Sequence, residues 1–104
     1  MTIDEYAAGA AGVAAVRMKP AERTDERELL HLALGLAGEA GEIADHLKKS
    51  LRGETWDRDR LAGELGDAIY QWARLCTLAG CSPSEVLDRS TRAIEARIAR
   101  QAQM

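Results

Sequence analysis

Apolar residues recur along the chain at intervals of three and four, and nowhere do they show the period-two alternation that marks a half-buried strand. Four helical segments follow from that spacing. In the first, Ile3, Tyr6, Ala10, Val13 and Val16 form the stripe, Thr2 and Glu5 are spaced as a capping box, and Pro20 is the stop. The second begins near Thr24 and carries Leu29, Ala33, Leu36, Ala40, Ile43 and Leu47. Lys48, Lys49 and Arg52 suit the negative end of its dipole, and Gly53 closes it. Asp57 caps the third, whose stripe of Leu61, Leu65, Ala68, Trp72, Leu75 and Ala79 ends at Gly80. Ser82-Pro83-Ser84-Glu85 is a capping box with proline at the first helical position. It opens a fourth helix on Leu87, Thr91, Ile94 and Ile98 that frays into a polar tail. The predicted class is all-α, with residues 1–104 as one domain of four-helix, bundle-like form.

The second and third helices share an internal repeat: Leu36-Ala37-Gly38-Glu39-Ala40-Gly41-Glu42 is echoed by Leu61-Ala62-Gly63-Glu64-Leu65-Gly66-Asp67. Each copy supplies two acids at i and i+3, which are neighbours on a helix surface. At about 100° per residue, each pair lies on one flank of its apolar stripe, at the edge of the helix interface. If Gly53 marks the turn of an antiparallel hairpin, Glu42 stands eleven residues before it and Glu64 eleven after, so the two pairs come to similar heights. Four ionised carboxylates so placed repel one another, and a hard divalent cation with oxygen ligands is the simplest remedy. Gly35, Gly38, Gly41, Gly63 and Gly66 crowd around these acids although helix-interior glycine costs about 1 kcal/mol relative to alanine, which implies close helix packing beside a site.

Charge and composition narrow the partners. A formal net charge of -3 lacks the basic excess of a nucleic-acid binder, so no nucleic-acid polymer is expected. The start, MTIDEY, is acidic where a signal peptide is basic, and AAGAAGVAAV is too short to span a bilayer; the expectation is a cytoplasmic protein without membrane contact. Cys76 and Cys81 are too few for a disulfide scaffold and read as free thiols, with Cys76 in the core. A chain of 104 residues buries a modest core, which oligomerisation would supplement.

The stretch GLAGEAGEIADHLKK followed by GELGDAIY resembles the MazG-like nucleoside triphosphate pyrophosphohydrolases, an all-α superfamily whose signature is EExxE followed by ExxD. The resemblance spans Leu29 to Ala79. Glu39 and Glu42 match the last two acids of the first motif, Glu64 and Asp67 match the second, and Gly38 departs from the pattern where the first Glu would stand. It implies hydrolysis of a ribo- or deoxyribonucleoside triphosphate between the α- and β-phosphates, giving the monophosphate and pyrophosphate; a four-helix subunit with an acidic site open at its flank would gain stability and substrate walls as a homodimer or homotetramer. The resemblance also implies magnesium, with manganese able to substitute, on Glu39, Glu42, Glu64 and Asp67. The general base falls to Glu39 or Glu42.

Lys48, Lys49, Arg52 and Arg74 are candidates for gripping the triphosphate, against their plainer role as helix-end and surface charges. His46, one turn after Glu42, is within reach of the site but reads first as an exposed or packing histidine, Asp45 as a further ligand or a partner for Lys49, and Trp72 as core. Tyr70 and Trp56 are better placed to meet solvent or a partner. Two other readings compete. One is a non-catalytic interaction or regulatory module that keeps the family fold, for which Gly38 and the short length speak. The other is a di-iron carboxylate bundle, for which Glu28-x-x-His31 occurs once without its mate.

Overall fold

The computed structural model describes residues 1–17 and 25–103, so the stop at Pro20 and the start near Thr24 lie outside the described residues. Four helices and no strand appear among them: α1 (Ile3–Arg17), α2 (Asp25–Lys48), α3 (Arg58–Leu78) and α4 (Pro83–Ala102). None is long and apolar enough to cross a membrane. The all-α expectation holds, and α4 continues helical through Ala102 where fraying was expected.

The predicted start and stop signals act as their chemistry requires. Thr2 Oγ1 accepts from the Glu5 N–H at 3.0 Å, and Glu5 Oε1 accepts from the Thr2 N–H at 3.3 Å, a reciprocal capping box. Asp57 Oδ1 accepts from the N–H groups of Asp59 and Arg60, and Ser82 Oγ from that of Glu85, so α3 and α4 each begin on a side-chain cap. The end of α2 tightens into a 3-10 turn over Lys49–Arg52, and Gly53 reverses the chain at φ +78. Gly80 does the same after α3 at φ +80.

The helices pack as an antiparallel α2/α3 hairpin with α1 laid against α3 and the first turns of α4 against α1 and α3. Asp4 joins the ends of this layer, its carboxylate accepting from both the N–H (3.0 Å) and the hydroxyl (2.7 Å) of Ser84. Those two bonds hold its carboxyl below the ordinary range.

The inward faces differ from the predicted stripes. On α1 the buried residues are Ala7, Ala10 and Ala14, while Val16 is 87% exposed. This helix is apolar nearly all round, so sequence period could not choose its face, and the alanines win because they let α1 approach α3 closely. On α2 the buried residues are Glu28, Leu32 and His46; Ala33 and Ala40 are exposed, as are Leu30 and Leu34. On α3 they are Glu64, Ala73, Arg74 and Cys76, with Leu65 and Ile69 exposed and Trp72 half-buried. Leu87, Ile94 and Ile98 of α4 all face outward. Cys76 is a buried free thiol as expected, burial pushing its pKa up.

The glycines correct a second expectation. Only Gly35 is tightly approached: a Cβ there would come within 2.8 Å of the Gln71 amide. A Cβ at Gly38, Gly41, Gly63 or Gly66 would meet nothing within 4 Å, so these four do not serve close packing within the chain. Gly63→Ala therefore gains helix propensity without a clash, and thermal or urea unfolding should show a stabilisation of about 0.5–1 kcal/mol.

Candidate functional site

The hairpin register sets the site. Gly35 meets Gln71, and in that same register Glu39 stands opposite Asp67 and Glu42 opposite Glu64, since the paired residue numbers add to one value. The two acid pairs do reach a common height. They do not share one environment, however, because each pair sends one acid into the interface and one to the rim. Glu64 is buried and Glu39 half-buried, whereas Glu42 and Asp67 are exposed. The placement of all four at the edge is thus corrected for Glu64: a helix turning 100° per residue separates i and i+3 by about 60°, enough to put one acid under the partner helix and leave the other outside it.

Glu39 is the electrostatic centre of the group. Burial first, then the negative charges of Glu42, Asp67 and Glu64, hold its carboxyl above the ordinary range. Its Oε2 is enclosed without a hydrogen-bond partner, and so is Oε2 of Glu64. A buried carboxylate oxygen with no donor is costly. Among the described residues, no three His, Cys, Asp or Glu side chains already converge into a coordination group. Carboxylates alone repel, and although Glu42 is exposed its carboxyl still lies within hydrogen-bonding reach of Glu39.

Glu64 is fixed on its other oxygen. His46 takes the packing alternative and also touches the site: it is fully buried at 2% exposure, with Nδ1 2.7 Å from Glu64 Oε1 and Nε2 accepting from the Asp57 N–H at 3.0 Å. Arg60 Nε also reaches Glu64 Oε1, at 3.2 Å. Sequence reasoning ranked the site contact of His46 below a plain packing or exposed role and missed Arg60. The available signal was position: His46 lies one turn past Glu42, on the inward side of the register, and Arg60 is four residues before Glu64.

One cavity adjoins the acids and a second lies beside it. The larger, about 710 Å³, has Glu39, Gly66, Asp67 and Tyr70 on one side and Tyr6, Ala10 and Val13 of α1 on the other. The second, about 520 Å³, shares Arg17, Tyr70 and Gln71 with it and adds Arg27, His31 and Arg74. Tyr70 is therefore half-buried between cavities, while Trp56 is exposed.

The predicted cations divide. Arg74 reaches the second cavity but is buried in a 2.8 Å ion pair with Glu28, so Glu28 Oε1 is engaged by a cation of the chain itself. Lys48 pairs with Asp45 at 3.1 Å and Arg52 with Glu54 at 3.4 Å, on the surface. Asp45 thus takes Lys48 and not Lys49, and that pairing lowers its pKa. Lys48, Lys49 and Arg52 line neither cavity.

Comparison with known proteins identifies the family. Residues 27–100 match the model of the MazG nucleotide pyrophosphohydrolase domain, a stretch that includes both acid pairs. The chain belongs to the MazG nucleotide pyrophosphohydrolase family. A relative, the Gene 37 protein of Mycobacterium phage L5, is 36% identical over 74 residues. The aligned part covers 66% of this chain and 65% of the phage protein, whose name states no activity. No solved structure matches. The MazG match begins after α1, yet α1 supplies one wall of the cavity over Glu39 and Asp67.

The strain on Glu39 is measurable in this MazG domain without any metal. A carboxyl whose folded pKa lies above its ordinary 4.5 favours the fold when protonated and loses that advantage as pH rises through the folded pKa. Glu39→Gln should therefore raise the melting temperature of the metal-free protein at pH 7, with the difference from wild type vanishing below about pH 4, where both side chains are neutral. Calorimetry in chelator at the two pH values checks this; an unchanged or lowered melting temperature at pH 7 would show that Glu39 is not repelled.

Proposed function

We propose that the protein is a magnesium-dependent pyrophosphohydrolase that cleaves a ribo- or deoxyribonucleoside triphosphate between its α- and β-phosphates. Family membership supports the reaction class. The observation that carries the reading to these residues is the pair of enclosed, partnerless carboxylate oxygens, Glu39 Oε2 and Glu64 Oε2, one from each half of the repeat.

The donor set fits a hard divalent cation, being all carboxylate oxygen, and Glu39, Glu42, Glu64 and Asp67 would hold it. When bound, magnesium supplies charge neutralisation for the phosphates and lowers the pKa of a coordinated water. The chain's own groups do the rest. Glu39, whose carboxyl is held above the ordinary range by burial and its neighbours, suits proton acceptance from the attacking water, with Glu42 one turn away to share the charge. Open space at Gly38, Gly41, Gly63 and Gly66 leaves the helix surfaces beside the acids unobstructed. Tyr6, Val13 and Tyr70 give the larger cavity apolar and aromatic surface for a base, and Arg17 brings positive charge beside it. Lys48, Lys49 and Arg52 would meet phosphate only from a second subunit or after releasing their present partners.

A second copy is part of the proposal. The exposed area of 7679 Å² exceeds by about 2,000 Å² the roughly 5,700 Å² of a compact monomer of 11.3 kDa. The radius of gyration, 17.0 Å, compares with about 13 Å for a compact domain of this length. An excess of that size matches one partner's share of an obligate homodimer interface, and outward Leu30, Leu34, Leu65, Ile69, Ile94 and Ile98 would fill it. Sedimentation should give a dimer or tetramer for wild type and a monomer for Ile94→Glu/Ile98→Glu; a monomeric wild type would remove this part of the reading.

The reaction is tested by pyrophosphate release from a panel of ribo- and deoxyribonucleoside triphosphates, with and without magnesium. Wild type should release pyrophosphate only with the metal. Glu39→Gln, Glu42→Gln and Asp67→Asn should each reduce turnover by orders of magnitude while keeping wild-type helicity, because none of the three is core. No release from any nucleotide would favour a binding or regulatory module on the same fold.

A further inference from the structure

We propose that His46 is the positioning residue of the carboxylate site: it holds Glu64 so that Oε2, and not Oε1, is presented to the cation. The inference rests on the metal-binding reading above and adds to it a residue outside the four acids.

Three facts carry it. His46 is the largest fully buried side chain among the described residues, so its contacts are enforced by packing. Its Nε2 accepts the backbone N–H of Asp57 at 3.0 Å, and a ring nitrogen that accepts bears no hydrogen. The ring proton is then on Nδ1, and at 2.7 Å it donates to Glu64 Oε1. With Arg60 Nε at 3.2 Å on that same oxygen, both lone pairs of Oε1 are engaged. Oε2 alone remains, enclosed and without a donor. Glu64 would accordingly bind a cation through one oxygen, in an orientation set before the ion arrives.

The Asp57 N–H belongs to the residue that caps α3, so the chain that closes the hairpin also selects the histidine tautomer that grips Glu64. Partners of this kind typically contribute 10- to 100-fold to metal affinity.

Two substitutions separate positioning from simple anchoring of the loop. The amide nitrogen of Asn falls near the place of Nδ1 and retains the donor to Glu64, whereas the longer Gln places its amide near Nε2 and retains an acceptor for Asp57. Mn²⁺ binding to the full chain, followed by electron paramagnetic resonance of the free ion, should be about 10- to 100-fold weaker for His46→Gln and within a few-fold of wild type for His46→Asn. The Mg²⁺-induced rise in melting temperature should follow the same order. Equal binding by wild type and both variants, or recovery by His46→Gln in place of His46→Asn, would overturn the proposal while leaving the metal reading intact. A wild type that binds no Mn²⁺ would overturn both. A measurement needing no variant stands beside these: long-range proton–nitrogen NMR of wild type should find the His46 proton on Nδ1, and a proton on Nε2 would refute the assignment.

Discussion

The structure depends on a polar seam where a helical hairpin would ordinarily place leucine. Along the α2/α3 interface, Glu28–Arg74 closes one end and His46–Glu64 the other, with Gln71 over Gly35 and the carboxyl of Glu39 between them. Each closing pair is buried, so sliding one helix along the other would leave two charges or a histidine without partners. Breaking one buried ion pair typically costs about 3–5 kcal/mol. Apolar contacts tolerate small displacements because they are non-directional. The seam does not, and it thereby holds Glu39 opposite Asp67 and Glu42 opposite Glu64.

That arrangement explains where the apolar residues went. With the closest-packed strip given to charged and amide groups, the larger aliphatic side chains of α2, α3 and α4 turn to the flanks, where Leu34 is 73% and Ile98 59% exposed. The interior that remains is small: alanines of α1 and α3, Leu32 and Cys76. Burial of so little apolar area is a weak basis for a stable isolated chain, which is why the same observation that locates the site also asks for a second copy.

Local signals in the sequence were the more legible ones. Thr2, Asp57, Ser82, Gly53 and Gly80 each act through a few neighbouring atoms, and each terminates or starts a helix where its chemistry requires. The repeat and the hairpin turn were also enough to align the acids in height. What escaped was rotation about the helix axes. Val13 and Ala14, or Ala33 and Leu32, differ by one step of about 100°, and the choice between them is made by which neighbour approaches, not by period. The choice among the readings of His46 was open for the same reason: whether a polar residue four places past an acid is exposed, packed or in the site is decided by the facing helix, which carries Glu64 at that level.

The difference between Glu39 and Glu64 then becomes intelligible. Both lie under the partner helix and both keep one oxygen without a donor, yet His46 and Arg60 support the one on its other oxygen, while burial and three negative neighbours raise the pKa of the other. Equal residues at equivalent places in a repeat have been given unequal surroundings. One is anchored by donors on its second oxygen, the condition of a fixed ligand; the other is left among like charges, the condition of a group that readily takes a proton. The asymmetry comes from the loop at the Glu64 end of the hairpin, where Asp57 both caps α3 and, through its backbone N–H, orients His46 toward Glu64.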